Sequence, residues 1–190
     1  RIYVQDGVYD EFAKRFAAKV GQMKVGAGTE AGVVIGPLIE PAAIAKVESH
    51  VSDAVGKGAK VILGGARHER GGLFFQPTVL TEVTPQMKVA REETFGPVAP
   101  LFRFKTEDEA VAMANDSEFG LAAYFYSRDV GRAIRVAERL EAGLIGVNAG
   151  VIANEASPFG GVKQSGLGRE GSKYGIDEYL EIKYVCLGGI

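Results

Sequence analysis

Residues 97–147 read PVAPLFRFKTEDEAVAMANDSEFGLAAYFYSRDVGRAIRVAERLEAGLIGV. Apolar, β-prone runs alternate here with amphipathic segments; the runs occupy residues 98–104, 121–126 and 143–147. Thr106 and Glu109 form a capping box before the first amphipathic segment, and Asp129 can begin the second. Strands that alternate with helices predict βαβ crossovers, which make neighbouring strands parallel. The stretch therefore predicts an α/β fold with an open, mainly parallel sheet flanked by helices.

The residues before this stretch continue the same pattern. Residues 1–5 resemble a strand already under way, so we expect the chain to be part of a longer protein. Asp6 can cap a helix with apolar positions at Val8, Phe12, Phe16 and Val20. A second helix is predicted from Pro41 to a left-handed cap at Gly58, followed by a strand at residues 60–63. In that helix one apolar stripe is expected, at Ile44, Val47, Val51, Ala54 and Val55.

The residues after the stretch change in character. Residues 148–175 are rich in glycine and lack hydrophobic periodicity, which indicates a long ordered loop. Residues 179–187 alternate apolar and charged side chains and predict a final strand. A strand joined by a long loop to a complete α/β unit is expected to pair elsewhere, such as on another subunit.

Composition excludes several classes of protein. The chain of 190 residues has a formal net charge of −2, which argues against a nucleic-acid partner. Its apolar runs are too short to span a bilayer, and no secretory leader opens it, so we expect a cytoplasmic protein. Cys186 is the single cysteine and is interpreted as a packing residue of the last strand. His50 and His68 lack partners at ligand spacing, so no metal site is predicted.

Two motifs suggest contact with a nucleotide, with unequal support. Residues 166–171 match G-x-G-x-x-G, but neither a preceding strand nor a following helix is predicted, which favours a tight connection. Residues 91–97 end in proline and favour an extended backbone, which would put Glu93 and Phe95 on one face. A carboxylate beside a ring could hold a ribose diol, but acidic residues are mostly exposed, so the spacing alone favours a solvated acidic turn.

Two further positions follow the third predicted strand of the stretch. Asn148 lies at its carboxyl end, where open α/β sheets place their ligands. Phe159 lies between Pro158 and a pair of glycines, where its ring would be held rigidly. A ligand-facing ring and a buried loop anchor both remain open for Phe159.

Taken together, these blocks resemble the aldehyde dehydrogenase superfamily. The resemblance rests on residues 92–97, Asn148 and residues 158–170, in the order and spacing of that family. Residues 172–184 are similar to the ending of succinate-semialdehyde dehydrogenases. The resemblance implies an aldehyde dehydrogenase catalytic-domain type of fold with a C-terminal oligomerisation strand. Its expected parts are residues 1–163, in the catalytic domain, and residues 164–190, a glycine-rich loop and oligomerisation arm.

The resemblance also implies roles for individual residues. Glu93 would bind the nicotinamide-ribose hydroxyls of NAD or NADP, and Phe95 would pack beside that ribose. Phe159 would line the aldehyde tunnel, and residues 151–157 would form the loop that closes over the substrate. Ala153 stands where succinate-semialdehyde dehydrogenases usually carry a serine that helps to bind the distal carboxylate.

The resemblance finally implies what the chain lacks. The nucleophilic cysteine and the base glutamate would both lie upstream of Arg1, so no catalytic residue is expected in this chain. The expectation is therefore the C-terminal part of an NAD(P)-dependent aldehyde dehydrogenase, inactive alone, with succinate semialdehyde as substrate and a homodimeric or homotetrameric assembly. Glutarate semialdehyde or another aldehyde is the alternative substrate, and a stand-alone oligomerisation or binding module is the non-enzymatic alternative.

Overall fold

The computed structural model describes residues 1–189. The chain divides into two compact units, one spanning Arg1–Ala110 and the other running from Val111 onward. The predicted division after residue 163 is a different one and stays a prediction.

The first unit is built around a four-stranded sheet. Its elements in chain order are β1 (Ile2–Gln5), α1 (Tyr9–Val20), β2 (Lys24–Val25), β3 (Val33–Ile35), α2 (Pro41–Gly56), β4 (Lys60–Leu63), β5 (Thr78–Thr81), α3 (Lys88–Arg91) and β6 (Val98–Phe104). The strand order of the sheet is β1-β6-β5-β4, with β6 parallel to both of its neighbours and β4 antiparallel to β5. The sheet of this unit is therefore mixed, whereas the sequence predicted a mainly parallel sheet.

Helix α1 packs on this sheet with a face that matches the predicted one only at Phe16 and Val20. Residues Asp6–Val8 form a 3₁₀ turn, so the α-helix begins at Tyr9. Tyr9, Ala13 and Val20 are buried, whereas Val8 is 58% exposed. Asp6 does not cap the helix; its carboxylate accepts a hydrogen bond of 2.9 Å from the Arg103 guanidinium.

Helix α2 forms as the sequence predicted. Pro41 occupies the first turn, where its missing N–H is not needed. Gly58 follows the helix at a φ of +101°, a conformation that glycine adopts without strain. Four of the five expected stripe residues are buried, and Val55 is the exception at 46% exposed.

The second unit contains two small pairs of strands. Its elements are α4 (Glu107–Asn115, which starts in the first unit), β7 (Phe119–Gly120), β8 (Ala122–Phe125), α5 (Val130–Arg139), β9 (Leu144–Val147) and β10 (Val162–Lys163). β8 and β9 are parallel, as expected for a βαβ crossover through α5, and β7 pairs antiparallel with β10.

The predicted cap of α5 is present. The apolar spacing also predicts that one face of this helix packs inward, but none of the residues of that face is buried: Val130, Ala133, Ile134, Ala137 and Leu140. The Asp129 carboxylate accepts the Arg132 N–H at 3.0 Å, and this hydrogen bond lowers the pKa of Asp129. Val136 is the buried residue of the helix, whereas Val130 and Ile134 are 76% and 59% exposed. The apolar periodicity therefore identified a helix without identifying the face that packs.

The predicted C-terminal strand does not form. A 3₁₀ turn at Asp177–Tyr179 is followed by residues 180–189, which have no regular secondary structure. A strand needs a partner for its N–H and C=O groups, and within residues 1–189 none pairs with this segment. Cys186 is exposed in this chain, so its interpretation as a packing residue stays a prediction.

No helix among the described residues has both the length and the apolar character needed to cross a membrane.

Candidate functional site

The first candidate site is the loop of residues 92–96, which follows α3. Phe95 has a φ of +47° and its side chain is 80% exposed. A bulky residue in this left-handed region is a conformational outlier, and such strain often marks functional sites. Next to it, a Cβ on Gly96 would lie 2.6 Å from Cγ2 of Val47. The loop therefore approaches α2 so closely that only glycine fits at position 96.

This loop is also tied to α2 through His50. The imidazole Nδ1 lies 2.9 Å from Oγ1 of Thr94, and Nε2 lies 3.2 Å from Oε2 of Glu92. His50 itself is only 1% exposed. The sequence shows no partner for His50 at ligand spacing, whereas the fold gives it two hydrogen-bond partners. Its place among the buried positions of the α2 stripe, between Val47 and Ala54, is the signal that could have revealed it.

The two predicted cofactor-binding residues both lie on this loop. Glu92 and Thr94 turn toward His50, so the alternation predicted from the sequence holds for these two residues. Glu93, between them, is exposed to solvent. The left-handed φ of Phe95 interrupts the extended backbone, so simple alternation does not fix the direction of its ring. The expected cofactor contacts of Glu93 and Phe95 stay predictions.

The second unit holds Asn148, directly after β9. Its side-chain amide donates to the Ser127 carbonyl at 2.8 Å, and its Oδ1 accepts the Ser127 N–H at 2.9 Å. Asn148 has a φ of +54°, a conformation that asparagine tolerates better than most residues. The side chain thus continues the pairing of β8 and β9 by one position, which fixes the start of the following loop.

The two predicted substrate-binding residues follow Asn148 in the same unit. Ala153 is exposed on the loop, and Phe159 is half-buried. The backbone of Phe159 pairs with that of Glu170 through two hydrogen bonds, of 2.9 and 2.7 Å. Phe159 also borders a cavity of about 810 Å³, lined mainly by residues 159–179. Neither the ligand-facing ring nor the loop anchor is excluded by this arrangement.

The glycine-rich segment beside Phe159 makes a series of tight turns. Gly166, Gly168 and Gly171 have φ values of +106°, +77° and +64°. The Arg169 guanidinium donates to the carbonyls of Gly161 and Gly168 at 2.8 and 2.7 Å. These features agree with the predicted tight connection rather than with a dinucleotide-binding turn. In the described part of the chain, no cluster of three or more His, Cys, Asp or Glu residues could hold a metal ion.

Comparison with known proteins gives consistent relatives. The pattern that defines the Aldehyde dehydrogenase family matches residues 1–185. The chain is 67% identical over 190 residues to 3-sulfolactaldehyde dehydrogenase of Pseudomonas putida, covering 100% of this chain and 39% of that protein. It is 62% identical to the NADP(+) succinate-semialdehyde dehydrogenase of Escherichia coli (99% and 39% covered) and to glutarate-semialdehyde dehydrogenase of Pseudomonas aeruginosa (100% and 39%).

Solved structures show the same similarity. Succinate-semialdehyde dehydrogenase from Burkholderia pseudomallei superposes with a TM-score of 0.97 at 62% identity, over 100% of this chain and 39% of that one. Betaine aldehyde dehydrogenase from Staphylococcus aureus, solved in complex with NAD+, has a TM-score of 0.89 at 40% identity, covering 94% and 36%.

These findings correct the functional assignment made from the sequence. The prediction that this chain is the C-terminal catalytic portion of a semialdehyde dehydrogenase is not upheld. The comparisons support the family, and the chain spans about 39% of the length of these relatives. Nor is succinate semialdehyde singled out, because relatives of 62–67% identity carry the names of three different aldehydes. Shared motif blocks identify a family; they do not identify the substrate of one member.

The fold agrees with that of the relatives, since this chain, with its partly parallel sheet and its helices, superposes over its whole length on 39% of the succinate-semialdehyde dehydrogenase chain. The family pattern covers nearly the whole sequence. This chain belongs to the aldehyde dehydrogenase family.

Proposed function

We propose that this chain is part of an enzyme that oxidises a small anionic aldehyde with NAD or NADP. The observation that carries the proposal is the loop of residues 92–96, in which an exposed carboxylate precedes a strained and exposed phenylalanine ring. The high identity to dehydrogenases, one of them named for NADP(+), supports the same activity.

The chemistry of this loop suits a nicotinamide ribose. The Glu93 carboxylate can accept hydrogen bonds from two ribose hydroxyls, and the Phe95 ring offers an apolar surface beside the sugar. When bound, the nicotinamide supplies the hydride acceptor. The contribution of Glu93 and Phe95 is to hold the ring in place, and correct positioning of reacting groups accounts for a large part of enzymatic rate enhancement.

The proposed substrate is an aldehyde with a negative charge at its far end. Succinate semialdehyde and glutarate semialdehyde carry a carboxylate there, and 3-sulfolactaldehyde carries a sulfonate; relatives are named for all three. Ala153 and Phe159 are the proposed substrate-side residues. Ala153 offers no hydroxyl to an anion. The preference for anionic over uncharged aldehydes is therefore expected to be smaller than it would be with a serine at this position.

We propose in addition that the enzyme is a homo-oligomer. The terminal segment presents exposed apolar side chains, with Ile182 100% and Tyr184 86% exposed. Exposed apolar segments of this kind commonly mark contacts with another chain.

The test is steady-state and single-turnover kinetics of the full-length protein that contains this chain. The wild type is expected to reduce NAD or NADP with at least one of the three anionic aldehydes. Glu93→Gln keeps the shape and removes the charge, so hydride transfer should slow about tenfold or more because charge-assisted hydrogen bonds are lost. Aldehyde affinity should change little.

Glu69→Gln is the matched control, because it removes a carboxylate that is likewise exposed from a different loop. It should leave the rate of hydride transfer unchanged. Equal slowing by both substitutions, or collapse of aldehyde binding with normal hydride transfer in Glu93→Gln, would contradict the assignment of Glu93.

A further inference from the structure

A buried imidazole links helix α2 to the candidate cofactor loop. His50 is almost completely enclosed, yet both of its ring nitrogens reach side chains of the loop, on Glu92 and Thr94. No buried side-chain nitrogen or oxygen among the described residues lacks a partner, so this arrangement is fully satisfied.

The chemistry of the partners fixes the hydrogen positions of the neutral ring. A carboxylate only accepts, so the Nε2–H of His50 donates to Glu92. Nδ1 then has a free lone pair and accepts the hydroxyl hydrogen of Thr94. Both hydrogen bonds are therefore directional, and they hold the two loop residues at defined positions.

These two residues flank Glu93 on either side. Glu92 immediately precedes it, Thr94 immediately follows it, and Phe95 comes next. The backbone of the loop is also held against α2 at Gly96 by the close approach of Val47. The two hydrogen bonds to His50 therefore oppose movement of the backbone at Glu93 relative to α2.

We infer that His50 is a positioning residue for dinucleotide binding, acting through Glu92 and Thr94 to hold Glu93 and Phe95 in place. The inference rests on the proposed function. It assigns His50 no contact with cofactor or substrate. Its effect is to reduce the freedom of the loop before the ligand arrives, which lowers the entropic cost of binding.

The experiment compares two substitutions of Thr94 in the full-length protein. Thr94→Val has nearly the same shape and cannot hydrogen-bond to Nδ1, whereas Thr94→Ser keeps the hydroxyl. Titration calorimetry with NAD+ and with NADP+ should show a Kd about fivefold higher for Thr94→Val, the loss expected for one neutral hydrogen bond. Thr94→Ser should stay within about twofold of the wild type because the hydroxyl is retained.

Steady-state kinetics separate a positioning role of His50 in dinucleotide binding from a general loosening of the protein. The KM for the dinucleotide should rise in Thr94→Val while the KM for the aldehyde stays constant. His50→Phe, which removes both bonds, should raise the dinucleotide Kd further. If that variant fails to fold, the Thr94 pair still decides the question. Ile44→Val is the control, because the apolar side chain of Ile44, buried in one cluster with Phe75, takes no part in the hydrogen bonds between α2 and the loop; it should lower the Tm without changing the dinucleotide Kd.

Two results would overturn the inference. One is a folded Thr94→Val protein with the dinucleotide Kd of the wild type; the other is an equal rise of KM for dinucleotide and aldehyde. Failure of the wild-type protein to bind either dinucleotide would refute the proposed function itself, and the inference with it, so the two failures are distinguishable.

Discussion

Replacement of Asn148 by alanine tests how the end of the β8–β9 pair is held. The substitution removes both hydrogen bonds to the Ser127 backbone and leaves a residue with a Cβ at a φ of +54°. Asn148 is exposed, so water replaces part of what is lost. We estimate about 0.5 kcal/mol for each hydrogen bond, at the lower end of the usual range. The left-handed conformation adds about 1 kcal/mol for alanine.

The expected loss is therefore about 2 kcal/mol of unfolding free energy for Asn148→Ala. Asn148→Gly separates the two contributions, because glycine loses the hydrogen bonds but adopts the positive φ without strain; it should be about 1 kcal/mol more stable than the alanine variant. Asn148→Asp keeps the acceptor for the Ser127 N–H and should be the least affected of the three.

The assay combines urea unfolding with hydrogen exchange at the Ser127 amide. Exchange at Ser127 should accelerate in the alanine and glycine variants and stay slow in the aspartate variant. Equal stability of the alanine and glycine variants would refute the argument from backbone strain. Unchanged Ser127 exchange in both would show that the Asn148 side chain does not hold this strand end.

Three other substitutions have defined expectations. Tyr9→Phe removes a hydroxyl that donates to the Leu101 carbonyl and accepts from the Glu82 N–H, both at 3.0 Å. This substitution should cost about 2 kcal/mol of unfolding free energy at pH 7. Burial raises the pKa of Tyr9, so this stabilisation is complete below the unfolded pKa of about 10 and declines above it; urea melts should show the wild type and the variant converging as the pH rises beyond 10. Ala153→Ser should raise kcat/KM for succinate semialdehyde by up to about tenfold and leave propanal unchanged; equal changes for both aldehydes would show that this position does not sense the carboxylate. Gly143→Ala places a methyl group against the backbone carbonyl of Gly160 and should lower the urea midpoint clearly, whereas Gly28→Ala, with nothing within 4 Å of its added methyl, should not.

Elements with a strong local signal could be predicted from the sequence. Helix α2 has proline in its first turn, a repeating apolar stripe and glycine just beyond its end, and it forms as expected. Strand β5 was missed because all four of its residues are buried, so the alternation that marks a half-buried strand is absent. For α1, Tyr9 and Ala13 are buried in place of the predicted Val8 and Phe12, whereas Val20 is buried as predicted.

The candidate site was predictable only in part, for a similar reason. Motif blocks led to Glu93, Phe95 and Phe159, because short-range patterns are visible in one sequence. His50 is linked to Glu92 and Thr94, which lie 42 and 44 positions further along the chain. This link is a product of tertiary packing. The final strand was expected from alternation alone, but alternation specifies which side chains share a face and not whether a partner strand is available.

The left-handed Phe95 also has a thermodynamic consequence. A free loop would lose backbone freedom when a flat ligand docks against its aromatic ring, and this loss would weaken binding. Here the φ of +47°, the close contact at Gly96 and the bonds to His50 restrict the loop when the protein folds. Most of the cost of ordering the loop backbone therefore falls on the stability of the folded chain, and a ligand that reaches Phe95 meets a backbone that is already in place.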